Sequence, residues 1–164
     1  MLFLLATPEY NNIQSNTTKV KVHLRNGIAE IFDLHQDLMG KVENNLVEIE
    51  TNFENKLEKF LFILQDAVFI VSTKGLESNV DFKGTSVYVY AKNVRQITSS
   101  TSVEEINKQY EQKNAELEKE TEKLNNLDSG ASNSKAFLTS KIILLKDEVE
   151  FLQRAVTIIK DLKS

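Results

Sequence analysis

The sequence predicts an α+β protein, with a β-sandwich of about eight short strands in residues 1–97 and an antiparallel two-helix hairpin in residues 98–164. Three observations predict it. The first half is a series of short apolar or alternating runs separated by turn residues. The composition then shifts at Thr98-Ser99-Ser100-Thr101. Last, apolar residues from Leu138 to Ile159 recur at steps of four and three, the period of a helix with a partner.

In chain order, Leu2 to Ala6 is an apolar run that stops at Thr7-Pro8. It resembles the start of a signal peptide, but it lacks a basic leader and runs into Pro8-Glu9, so a buried first strand is expected. From Lys19 to Leu24 the pattern alternates, with Val20, Val22 and Leu24 on one side and Lys19, Lys21 and His23 on a wet face. Arg25-Asn26-Gly27 supplies a turn, and Ile28 to Phe32 returns as the partner strand. Asp33 to Asn45 reads as irregular. Strands resume at Leu46 to Glu50. Phe60 to Leu64 and Ala67 to Val71 are apolar on both faces, which predicts two central, covered strands joined by a tight turn at Gln65-Asp66. Lys74 to Gly84 is a long polar connection, and Ser86 to Tyr90 closes the set.

Ser102-Val103-Glu104-Glu105 fits a capping box, with Ser102 as N-cap and Glu105 reaching back. The helix it opens carries a thin stripe, Ile106, Tyr110, Leu117, Leu124 and Leu127, with Lys113 and Glu120 at seam positions. Asp128 to Asn133 supplies the helix–helix turn. The final helix, from about Leu138 to Lys163, carries the seam Leu138, Ile142, Leu145, Val149, Leu152, Val156 and Ile159. A second row follows it: Phe137, Leu144, Phe151, Ala155, Ile158 and Leu162. One thin-striped partner cannot cover both rows, so the second row is expected to meet either the rest of the chain or another subunit.

The charge of −4 and pI near 5.3 argue against a nucleic-acid surface. The absence of cysteine excludes disulfides and thiolate metal sites. No apolar run approaches the roughly 20 residues that span a bilayer. Catalysis needs convergent groups, and the chain has two histidines. His23 falls on the polar face of a strand and reads as solvated. His35, with Asp33 and Asp37, could form a base–carboxylate pair or a sparse metal site, but no nucleophile motif accompanies it. No Walker A loop, GxGxxG or G-x-S-x-G occurs. Asn16-Thr17-Thr18 matches a glycosylation sequon, and the Tyr88/Tyr90 pair reads as packing or a protein contact.

Taken in order, these segments resemble the epsilon subunit of F-type rotary ATPases, called delta in mitochondria. Leu2 to Glu9 is similar to that family's first strand, which often ends in Thr-Pro-Glu. Gly27-Ile28-Ala29-Glu30-Ile31-Phe32-Asp33-Leu34-His35 resembles its Gly-x-Leu-Gly-Ile-x-Pro-Gly-His segment, with Gly27, Ile31 and His35 at the same spacing and Leu38 near the leucines that follow. Leu46 to Ile49, Phe60 to Val71 and Ser86 to Ala91 resemble its later strands. Asp33-Leu34 replaces the usual Pro-Gly, Glu30 stands where a second glycine is common, and Gln65-Asp66 replaces a Gly-Gly turn. Some bacterial members bind ATP through Ile/Leu-Asp-x-x-Arg-Ala. Here Val103 to Lys108 lacks the arginine, so no nucleotide or other cofactor is expected.

The resemblance implies a non-catalytic rotor subunit, peripheral at the inner, cytoplasmic face of the cell membrane without inserting into it. Its partners would be a gamma-type shaft, the membrane rotor ring and the alpha/beta catalytic head. His35 and Leu38 would meet the ring, and Leu144, Phe151, Ile158 and Leu162 would meet the shaft or head. The departures leave room for a paralogue serving a rotary ATPase specialised for a task other than ATP synthesis, and the rival readings are a coiled-coil adaptor of another assembly and a small hydrolase using His35.

Overall fold

The computed structural model describes residues 1–73, 84–127 and 132–163. In chain order these form β1 (Leu2–Ala6), β2 (Asn11–Gln14), β3 (Thr17–Leu24), β4 (Gly27–Ile31), β5 (Leu38–Val42), β6 (Asn45–Phe53), β7 (Lys56–Ser72), β8 (Ser86–Ile97), α1 (Val103–Asn125) and α2 (Ser132–Lys163). The chain divides into two compact units, Met1–Thr101 and Ser102–Ser164. The expected connection at Lys74 to Gly84 lies outside the described residues apart from Gly84 itself, as do residues 128–131 of the helix–helix turn expected at Asp128 to Asn133.

All eight strands belong to one sheet, ordered β2-β1-β8-β7-β6-β3-β4, with β5 also paired to β7. The sheet becomes a sandwich because its middle strands change faces. On β7 the core side chains are Phe62 and Leu64, then Ala67, Phe69 and Val71. Strict alternation would keep one parity, so the inward face slips by one residue at Gln65-Asp66. The neighbours slip at the same level. β5 and β6 follow one register against β7, with Val42 opposite Ala67 and Asn45 opposite Leu64, and Glu43-Asn44 falls between. On β8, Ala91 and then Val94 face the core, with Lys92-Asn93 between them. Asn44 and Asp66 adopt positive φ, 42° and 45°, as bulge residues at a sheet corner do.

This arrangement corrects the expected hairpin at Gln65-Asp66. Phe60 to Leu64 and Ala67 to Val71 are one 17-residue strand bent at a corner, not two strands joined by a turn. The hairpin lies earlier, at Glu54-Asn55, where φ of 48° and 62° fits the twist of a two-residue connection between β6 and β7. Of the strand expected to be covered at Phe60 to Leu64, Phe62 to Leu64 are buried while Phe60 and Leu61 are half-buried, and Val68 is 40% exposed, so the second half of β7 is covered on one face only. The stretch from Asp33 to Asn45 is not wholly irregular, since it contains β5. β2 also escaped prediction, because Asn11-Asn12-Ile13-Gln14 has polar residues on both sides.

One core joins the two layers: Phe3 and Leu5 of β1, Val20 and Val22 of β3, Ile31, Val42, Val47 and Ile49, with the inward residues of β7 and β8. At about 25 cal/mol per Å² these fully buried aliphatic and aromatic groups dominate the unit's stability. Gly40 lies on the inner face of β5, and any Cβ there would collide with the Phe69 ring.

In the second unit, Ser102 caps α1, accepting from the Glu105 amide at 3.2 Å. The Ser102 hydroxyl also donates to Glu104 Oε2 at 2.8 Å, a side-chain contact beside the cap and not the expected return bond from Glu105 to the Ser102 amide. α2 begins at Ser132, earlier than predicted, and the two helices pack as an antiparallel pair. Lys113 and Glu120, the polar residues in the α1 seam, find partners on α2: Lys113 with Glu148 at 2.8 Å and Glu120 with Lys141 at 3.2 Å. Both pairs obey a single antiparallel register.

Candidate interaction surfaces

His35 is half-buried in the β4–β5 loop. Its amide donates to the Phe32 carbonyl at 3.2 Å and its Nδ1 lies 2.7 Å from the Gln36 carbonyl oxygen. The two nearby aspartates serve the backbone. Asp33 Oδ1 accepts from the Leu34 and Thr85 amides, each at 3.1 Å. Asp37 Oδ1 accepts from the Thr73 amide at 2.9 Å and the Thr73 hydroxyl at 3.1 Å. The loop is therefore pinned at both ends to the residues flanking β7 and β8. Hydrogen bonds from Thr85 hold the Asp33 carboxyl below the usual carboxylate range. Among the described residues no group of three His, Asp or Glu side chains is placed to hold a metal.

The pinned loop presents apolar side chains. Phe32 is 50% exposed, Leu34 85%, Leu38 38% and Met39 70%. Met39 opens a row that crosses the outer face of one layer through Ile70, Tyr88 and Leu4 to Ile13. A parallel row runs through Val68 and Tyr90 to Ala6. Strand alternation dictates both rows, since the odd-numbered partners of β7 and β8 fill the core. The face is uneven: Val68 and Tyr90 are substantially exposed, whereas Tyr88 is buried. A shallow groove of about 330 Å³, lined by Asp37, Leu38, Met39, Ile70, Val71 and Ser72, joins the loop to this face.

The other layer carries charge. Glu48 of β6, only 9% exposed at its side chain, lies 2.6 Å from Lys59 Nζ, 2.6 Å from His23 Nε2 and 3.4 Å from Lys21 Nζ. Burial pushes its carboxyl upward. Hydrogen bonds from Lys59 and His23 and the charges of Lys59 and Lys21 outweigh that and hold it down at about 2. His23 is thus a partner of Glu48, which corrects its reading as a solvated residue.

On α2, the residues expected to meet a partner divide. Leu144 and Leu162 are 57% and 43% exposed, but Phe151 and Ile158 are buried within the chain, as is Ala155. Phe137 and Ile143 are exposed and extend the Leu144 surface toward the start of α2.

Sequence reasoning missed Leu34 and Met39, and of the two outer rows it singled out only Tyr88 and Tyr90. The available signal was Leu34 standing at the glycine position of the resembled motif. No helix among the described residues is long and apolar enough to cross a membrane.

No protein-family model matches the sequence, and no curated protein matches it. Among solved structures, the chain is similar to one in the Euglena gracilis mitochondrial ATP synthase OSCP/F1/c-ring assembly, at 12% identity and a TM-score of 0.53, over 94% of this chain and 79% of that one. It is also matched to a chain of the Tetrahymena thermophila mitochondrial ATP synthase central stalk and c-ring, at 11% identity and a TM-score of 0.45, over 95% and 96% of the two chains. The Euglena likeness is one of fold, a sandwich followed by a helical pair over nearly the whole chain.

Proposed function

We propose that the chain is a non-catalytic central-stalk subunit of an F-type or F-like rotary ATPase. It binds the gamma-type shaft and couples or regulates ATP hydrolysis or synthesis. In this reading it is held at the inner face of the membrane through the complex, with no insertion of its own. The observation that carries the reading is the pinned loop from Phe32 to Met39 and the apolar rows beside it, an organised, partly exposed apolar surface. The fold shared with a chain of the Euglena assembly, and the motif likeness around Gly27 to His35, support the same reading.

The loop with His35 and Leu38 would face the rotor ring, and the outer sheet rows the shaft. Leu144 and Leu162 of α2 remain as surface toward a shaft or catalytic head, while Phe151 and Ile158 serve the chain's own packing. The test is recovery of the tagged full chain from native membranes under mild detergent. Co-purification with alpha-, beta- and gamma-like subunits supports the reading. Stable recovery free of all three, or with an unrelated assembly, sinks it in favour of the adaptor.

A further inference from the structure

We infer that the free edge of β2 pairs antiparallel with the same edge of a second copy of this chain, Asn12 opposite Asn12. Among the described residues β2 ends the sheet order and pairs only with β1. The register fixes where its backbone points. The Thr7 amide donates to the Tyr10 carbonyl at 2.8 Å, so by alternation Leu5 with Asn12 and Phe3 with Gln14 are the other hydrogen-bonded pairs. The amides and carbonyls of Asn11 and Ile13 therefore face away from β1, toward the open edge.

An open edge is usually guarded by a charge, a proline or a bulge. The other strands with a single neighbour, β4 and β5, carry Glu30 and Lys41. β2 has no such guard. No charged residue or proline lies from Tyr10 to Thr18, and the pairing with β1 runs without a register shift. Ile13, on the same strand, is 62% exposed.

The side chains select the occupant. Gln14 Nε2 donates to Asn12 Oδ1 at 3.1 Å, and Asn12 Nδ2 donates to the Tyr10 hydroxyl at 3.1 Å. This ladder has a direction, with a carbonyl oxygen to offer at Gln14 and a hydroxyl proton to offer at Tyr10. A two-fold axis through Asn12 sets Tyr10 of each copy opposite Gln14 of the other, donor end to acceptor end on both sides. The same axis sets Asn11 opposite Ile13, the residues whose outward backbone groups need partners. A second copy thus matches the edge in polarity and register by its own sequence. The pairing concerns the free chain and does not depend on the rotor reading.

The test is sedimentation equilibrium of the full chain from about 5 μM to about 500 μM, around a dissociation constant expected on the order of 100 μM for so small an interface. Ile13→Pro removes an outward N–H and no bond to β1, so it should keep the fold by circular dichroism and weaken association about tenfold or more. Ile13→Lys keeps the N–H, adds a like charge to each copy and should weaken association similarly. The chain has no cysteine, so Asn12→Cys supplies a single thiol. Oxidation with diamide should link two copies through it, and adding Ile13→Pro should abolish the link. A wild-type chain that stays monomeric at every concentration, or a dimer that both Ile13 variants leave intact, overturns the inference. So does Asn12→Cys cross-linking only to a different protein in native membranes, which would give the edge another occupant.

Discussion

Glu48 of β6 and Lys59 of β7 lie 2.6 Å apart on the outer face of the sheet, and His23 approaches the same carboxylate from β3. Three adjacent strands are thus tied by one acid. The Glu48 carboxyl is held at about 2 in the folded chain against an ordinary 4.5, so its stabilising contribution is complete above about pH 4.5 and is lost as pH falls toward 2. The contribution is on the order of 3 kcal/mol. Urea midpoints measured from pH 6 to pH 2 should fall more steeply for wild type than for Glu48→Gln, and the variant should already be weaker at pH 6.

The collision awaiting a Cβ at Gly40 makes a second prediction. Gly40→Ala should destabilise the sandwich by about 1–3 kcal/mol through overpacking against Phe69. Phe69→Leu in the same chain should recover part of that loss. A double-mutant cycle by denaturant titration checks both.

Asp66 tests the corner. Its φ of 45° tolerates Asp, Asn or Gly but not a β-branched residue. Asp66→Ile is expected to cost about 1–2 kcal/mol, and Asp66→Gly to be near neutral. Thermal unfolding of the two variants should differ accordingly.

The helical pair should depend on its ionic register. Lys141→Glu places like charges beside Glu116 and Glu120 and should lower the hairpin's unfolding midpoint by a few degrees. The exchange Glu120→Lys with Lys141→Glu should recover most of it, although Lys123 then opposes the new lysine and keeps recovery incomplete. Circular dichroism at low and high salt would read both effects.

Exposure separates two kinds of α2 residue. Phe151→Ala should cost about 3–5 kcal/mol of stability. Leu144→Lys, at a 57% exposed site, should change stability by no more than about 0.5 kcal/mol while reducing recovery of the ATPase complex.

Much of this fold was legible because its signals are local. Alternation at Val20, Val22 and Leu24, the Ser102 cap and the period of α2 each report on a few neighbouring residues. The corner was not legible, since Gln65-Asp66 has the composition of a turn and only pairing to strands far away in sequence shows the chain continuing through it. Glu48 was hidden for the same reason, as its partners come from two other strands. Leu34 was overlooked because nothing in a leucine itself announces positive φ, and only its place at the motif's glycine position hinted at it. The fate of Phe151 and Ile158 depends on tertiary packing, which helical periodicity does not encode.

The bent middle strands have one more consequence. Because β7 lends its first half to one layer and its second half to the other, neither layer owns a complete set of hydrogen-bonding neighbours. The two cannot melt separately, so amide exchange at Phe62 and at Phe69 should slow to a common rate, set by loss of the entire sandwich at once.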